Sequence, residues 1–189
     1  QTEENEKYLN KIKEHCNSMY VRFEKDTTNE ALFNLDENLN QFQRNGTRGN
    51  ILQWQSMKNV KELKCDAENH HDMEYECVIW TRPDLYFFNS LDNILNLRSC
   101  EIYNVAHDNH LHGICDRFSL GSSKVMDLRM TIIDFFEDWY LNHDVKDLFY
   151  SKQHEKFMWN PEIVYREYLK HLQLNHGKLN LCFGKARST

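Results

Sequence analysis

The chain has 189 residues, 40% of them hydrophobic, and a formal net charge of −6 before its ten histidines are counted. That length supports one domain with a sizeable core rather than two, and the acidic balance gives a nucleic-acid partner no global electrostatic support. No apolar run approaches the length of a membrane span, and the opening residues Gln1 to Lys7 are too polar for the apolar region of a signal peptide.

In chain order, Tyr8, Leu9, Ile12 and Cys16 fall on one helical face, and Met19, Val21 and Phe23 alternate as a short strand. Thr27 and Glu30 form a capping box for a helix carrying Leu32, Leu35, Leu39 and Phe42, which the stretch Asn45 to Gly49 closes as a turn. A new helix then bears Ile51, Trp54, Met57, Val60 and Leu63 and ends at His70-His71-Asp72. The run Cys77 to Trp80 lacks polar alternation, which predicts a central strand covered on both faces. Proline at position 83 ends it and delivers Arg82 and Asp84 at its carboxyl end, where open α/β sheets bind ligands.

Beyond a possible helical turn at Ser90 to Leu95, Glu101 to Ala106 reads as a strand and His107 to Gly121 as an irregular loop beside a site. Ser122 or Ser123 caps a helix whose predicted face is Val125, Leu128, Ile132, Phe135, Phe136, Trp139 and Tyr140. Met57, Met126 and Met130 read as packing. Asn160-Pro161-Glu162 starts a helix bearing Val164, Tyr165, Tyr168, Leu169 and Leu172, with Gly177 as its stop. Leu179, Leu181 and Phe183 alternate in a closing strand. Strands alternating with helices give an α/β expectation: a three-layer α/β/α sandwich around a mostly parallel sheet.

A guanidinium and a carboxylate at one strand end suit a phosphate-bearing ligand and a hard cation. Tyr86 and Trp159 are the aromatic residues placed to line an open cleft. His110 and His112, two apart, would face the same way on an extended chain and so suit zinc, but without the fixed spacing of a zinc motif. Six cysteines without a C-x-x-C pair read as reduced thiols, with a Cys100 to Cys115 disulfide left open. Serine hydrolase, phosphate-loop and dinucleotide fingerprints are missing from the sequence.

Two blocks, Arg82-Pro83-Asp84-Leu85 after its strand and Cys115-Asp116-Arg117-Phe118-Ser119-Leu120-Gly121-Ser122 before a helix, resemble the R-P-D and D-R-F motifs of a group of glycosyltransferase-like proteins with viral and algal members. The helix from Asn160 and the strand ending near Arg187 are similar to that group as well, so the likeness runs over about residues 50–187. It implies a GT-A type fold, one glycosyltransferase-like domain over residues 1–189, a nucleotide-sugar donor, a glycan acceptor and a divalent cation, Mn²⁺ or Mg²⁺. By this resemblance Asp84 stands at the last acid of a D-x-D motif and holds the metal, and from the histidine cluster His112 is a candidate further ligand to that cation. Arg82 replaces the first acid and contacts the diphosphate, as do Lys185 and Arg187. Asp116 takes the acceptor proton if the reaction inverts, and Arg117 is a substrate contact or the ion-pair partner of Asp84 or Asp116. The missing first acid, and the absence of an opening hydrophobic strand, motivate the alternative of a non-catalytic nucleotide- or carbohydrate-binding module. The cysteines fit a cytoplasmic protein, virus-encoded or otherwise, with the Golgi lumen as the alternative if an amino-terminal anchor was removed.

Overall fold

The computed structural model describes Asn10 and residues 41–82, 84–88, 90, 100–106, 113–141 and 160–185, with residues 41–47, 139–141 and 185 described by backbone alone. The expected helix from Glu3 to Cys16, the strand at Met19 to Phe23, the Thr27 capping box and the turn through residues 91–95 lie outside the described residues.

Helix α1 spans Gln41–His71 without a break. The turn expected at Asn45 to Gly49 is therefore helical. Glycine in a helix costs about 1 kcal/mol relative to alanine, and the next turns offset that by burying Ile51, Trp54 and Met57. The helix stops in a Schellman motif: Met73 N–H donates to the Glu68 carbonyl at 3.0 Å and Asp72, at φ 49°, donates to Asn69.

The strands are β1 (Val78–Thr81), β2 (Leu85–Phe87), β3 (Ile102–Val105), β4 (Phe118–Gly121), β5 (His176–Leu179) and β6 (Phe183–Lys185). Helices α2 (Ser123–Met130), α3 (Ile132–Leu141) and α4 (Pro161–His171) complete the described elements. A four-stranded sheet has the order β1-β4-β3-β5, and β2 pairs with β6 in a separate ribbon. The β4 strand is antiparallel to both neighbours, and β3 is parallel to β5. Three strands thus share one direction with β4 reversed between two of them, so the described sheet is mixed rather than mostly parallel.

Two expectations need correction. The Val78–Thr81 strand stands at the end of the described sheet, not at its centre, and alternates half-buried with exposed, Ile79 facing outward. The central positions belong to β3 and β4, whose residues are all buried. Phe118 to Gly121, expected within a loop, is one of those two strands.

The two-residue period of β3 and β4 sorts their side chains. Ile102 joins the helical core formed by Ile51, Trp54, Met57, Met126, Ile133, Phe136, Val164 and Tyr165. Tyr103, Val105, Phe118 and Leu120 face the other way, into a second core with Leu179 and Leu181. Among the described residues that second core is closed by Phe87 and Phe183 of the β2–β6 ribbon, not by a helix. Asn104 and Ser119, paired across β3 and β4, are consequently aimed into the helical layer.

Ser122 caps α2 and Asn160 caps α4, the latter accepting from Glu162 N–H at 2.8 Å with Pro161 in the first turn. The single long helix expected after Ser122 is broken at Thr131, whose N–H and hydroxyl both turn back to the Leu128 carbonyl. Gly177 does not stop α4. Gln173, at φ 55°, does so in a second Schellman motif, with Leu174 N–H donating to Leu169 and Gln173 N–H to Lys170. Gly177 instead lies inside β5 against the Tyr103 ring, where an added Cβ would sit 2.6 Å from ring carbons. Cys100 and Cys115 are not joined in a disulfide, and burial pushes the Cys115 thiol up to about 11.

Candidate functional site

The pairing of β1 with β4 matches Thr81 to Phe118, and Arg82 N–H donates to the Arg117 carbonyl at 3.3 Å. Because the strands are antiparallel, the end of β1 meets the beginning of β4. Arg82, Asp84, Asp116 and Arg117, separated by over 30 positions in sequence, are thereby gathered at one edge of the sheet.

Arg82 and Asp84 form a fork: Nε donates to Oδ1 at 2.9 Å and Nη2 to Oδ2 at 2.8 Å. Each side chain is 35% exposed, so the pair is open to solvent. Its guanidinium is held in the planar two-point geometry that also suits a phosphate. Both Asp84 oxygens are engaged, and a divalent cation would have to displace a bidentate arginine. The same two bonds occupy one edge of the Arg82 guanidinium, so a cation or an anion bound here would each displace one member of the fork. Arg117 is half-buried, and Arg82 is a partner of Asp84. Tyr86 lies in β2, half exposed, its ring edge-on to Phe88 at 5.0 Å. Lys185 ends β6 opposite Leu85. His107, His110, His112, Trp159 and Arg187 lie outside the described residues.

Asp116 is 4% exposed and accepts from Gln53 Nε2 at 3.3 Å. Burial pushes its carboxyl above the ordinary aspartate range, and Arg129, Gln53 and Arg82 pull it back without cancelling that rise. A carboxyl with a raised pKa beside a solvent-open guanidinium has the character of a general acid or base.

The residue missed from sequence is Arg129, which is fully buried. Its guanidinium carbon lies 3.7 Å over the Tyr165 ring, Nη2 donates to the Asp116 carbonyl at 3.2 Å and Nε to Ser119 Oγ at 3.4 Å. Ser119 Oγ and the Tyr165 hydroxyl both donate to Asn104 Oδ1, at 3.0 and 2.9 Å. Asp116 thus sits on a polar cluster built from β3, β4, α2 and α4. A signal for Arg129 existed: Met126, Arg129, Met130 and Ile133 follow helical spacing and are all buried.

No family model, curated protein or solved structure matches the chain.

A second cluster, Cys65, Glu68 and Asp127, brings three potential ligand atoms within 4.8 Å of one another. Lys64 already supplies the positive charge there, its Nζ 2.6 Å from Glu68 and 3.1 Å from Asp127. Glu68 also accepts from Ser123 Oγ at 2.6 Å and from Tyr75 N–H at 2.9 Å. Burial opposes ionisation, but Lys64, Ser123 and Tyr75 together hold the Glu68 carboxyl down at about 2, against an ordinary 4.5. A depressed acid stabilises the fold above its unfolded value and loses that contribution as pH falls through the folded one. The stabilisation at neutral pH is at most about 3 kcal/mol, and screening by solvent reduces it to about 1–2 kcal/mol. Glu68→Gln is therefore expected to lower stability by about that amount at pH 7 and by much less near pH 2. Urea unfolding at both pH values checks this, and an equal loss at the two would contradict it.

Proposed function

We propose that the chain is a nucleotide-sugar-dependent glycosyltransferase, with Arg82 at the donor diphosphate and Asp116 at the acceptor hydroxyl. The observation that carries this reading is the β1–β4 register, which brings the Arg82–Asp84 fork and the buried Asp116 to one sheet edge. Diphosphate exchanges for the Asp84 carboxylate on the guanidinium, one planar oxygen pair for another. The positive charge then offsets the negative charge that grows on the leaving diphosphate as the bond to the sugar breaks. Asp116 accepts the proton of the attacking hydroxyl, and its raised pKa makes it a stronger base than an ordinary aspartate once ionised. Gln53, donating to Asp116, fixes the direction in which that carboxylate points.

Nucleotide release from a panel of nucleotide sugars, with a mixed glycan acceptor and with Mn²⁺, Mg²⁺ or chelator, tests the reading. Arg82→Ala is expected to lower turnover at least about 100-fold, because it removes the guanidinium that meets the diphosphate. At a 35% exposed position the same change should cost no more than about 1 kcal/mol of stability. Undiminished turnover in that variant would sink the assignment. Donor binding without any nucleotide release would favour the non-catalytic binding module instead.

A further inference from the structure

A cleft of about 490 Å³ opens between the end of α4 and the first half of β5. Its apolar wall is Ile114, Leu169 and Leu174, and its charged lining is Arg166, Lys170 and Lys178, with His176 among them. None of the lining residues is acidic, although the whole chain carries −6. The cleft stands at the beginning of β5, whereas the Arg82–Asp84 fork stands at the end of β1. It is a separate feature from the proposed donor site.

We infer that this cleft binds a small organic anion, a phosphate or sulfate ester whose ring or hydrocarbon body rests on Ile114, Leu169 and Leu174 while its charged group meets Arg166, Lys170 and Lys178. The volume falls in the range of small-molecule sites, and an apolar floor with a few converging charges is their usual composition.

Three charges weigh against an anion. Glu167 accepts from Arg166 at 2.7 Å and from Lys170 at 2.9 Å. Glu101 reaches the neighbouring Asn175 N–H at 2.9 Å. The carboxyl end of α4 adds about half a negative charge. The α4 term is blunted, because the carbonyls of Tyr168, Leu169 and Lys170 are taken by the N–H groups of Leu172, Leu174 and Gln173. Surface ion pairs such as those of Glu167 contribute only about 0–1 kcal/mol, so a dianion that engages two cations at once displaces them readily. Glu101 is exposed and lies outside the lining, which leaves the three cations as the dominant local charge.

His176 reports on occupancy. Burial and the Lys178 cation hold its imidazole below the ordinary value, and an anion seated between them must raise it. The experiment is a titration of the full chain with pyrophosphate, a sugar monophosphate, the matched sugar sulfate and the neutral sugar. It is followed by the His176 ring resonances and by isothermal calorimetry. The expected result is an upward move of the His176 titration, with the esters binding at least about tenfold more tightly than the neutral sugar. Lys178→Ala and Arg166→Ala should each weaken the ester about tenfold, and Lys178→Arg should retain most of the affinity. A phosphate bound more tightly than the matched sulfate assigns the site to phosphate esters, and equal affinity assigns it to small dianions in general. Equal binding of the neutral sugar, or affinity untouched by both alanine variants in protein of unchanged melting temperature, would overturn the inference. Neither arm uses transferase activity, so the cleft and the proposed reaction can fail separately.

Discussion

Replacing Arg129 with alanine should lower stability by about 3–5 kcal/mol, a large part of the 5–15 kcal/mol that a domain of this kind possesses. The loss has three sources. The Asp116 carbonyl and Ser119 Oγ lose a buried donor, the Tyr165 ring loses the guanidinium stacked on it, and a side-chain-sized void opens beside Met57, which Nη1 touches at 3.7 Å. Arg129→Met separates these sources. It refills the void among Met57, Met126 and Met130 and leaves only the unpaired acceptors, so about half of the loss should return. Urea midpoints of the parent and both variants measure this. An alanine cost below about 1 kcal/mol would show that the guanidinium is replaceable by water and is not the centre of the cluster.

Asp116→Asn should do the opposite: little to stability and much to turnover. Folding that raises an acid's pKa favours its protonated form, and that contribution to stability is lost as pH climbs from the unfolded value through the folded one. At neutral pH the parent therefore bears the cost of an ionised, buried carboxylate. Asparagine keeps the shape and the Gln53 contact and removes that cost, while giving up the attraction of Arg129 and Arg82. The two nearly cancel, and stability at pH 7 should stay within about 1 kcal/mol of the parent. If Asp116 is the base, turnover falls about 100- to 10,000-fold. The acid limb of the parent's pH–rate profile should also lie above the ordinary aspartate range, since the ionised form is the active one. A variant with parental turnover would remove Asp116 from the reaction. A limb at the ordinary aspartate value would mean that the carboxylate is better solvated than its 4% exposure implies.

Much of the helical architecture was legible because it rests on local signals. Asn160-Pro161 and Ser122 start helices where capping chemistry requires, and the methionines at helical spacing are core. The misreadings share one cause, which is that partners distant in sequence decide burial. Cys77 to Trp80 looked like a central strand from its hydrophobicity, yet β4 is its only strand neighbour among the described residues. Phe118 to Gly121 looked like loop because Asp116, Arg117 and Ser119 are polar. The burial of Asp116 and Ser119 depends on Arg129 and Tyr165, contributed from other elements. Of the predicted face, Ile132 and Phe136 are buried as expected, whereas before the break at Thr131 Leu128 is 44% exposed and Arg129 is fully buried. Of the site, Arg82, Asp84 and Asp116 could be picked from sequence as chemistry-bearing residues. The fork that makes Arg82 and Asp84 one unit could not.

The parallel β3–β5 ladder also bears on how the chain reaches its native state. It opens at Glu101 and Asn175, 74 positions apart, and α2, α3 and α4 all lie between its two strands. Closing so long a loop costs entropy before any ladder hydrogen bond rewards it, so topology of this kind folds slowly. Until β5 arrives, the outer edge of β3, a strand whose residues are all buried in the folded chain, is an unpaired template, the state in which a strand recruits another molecule instead of its own chain. The Schellman turn at Gln173 swings the chain from α4 directly into β5, so that once α4 has docked, β5 starts beside the β3 edge it has to cover.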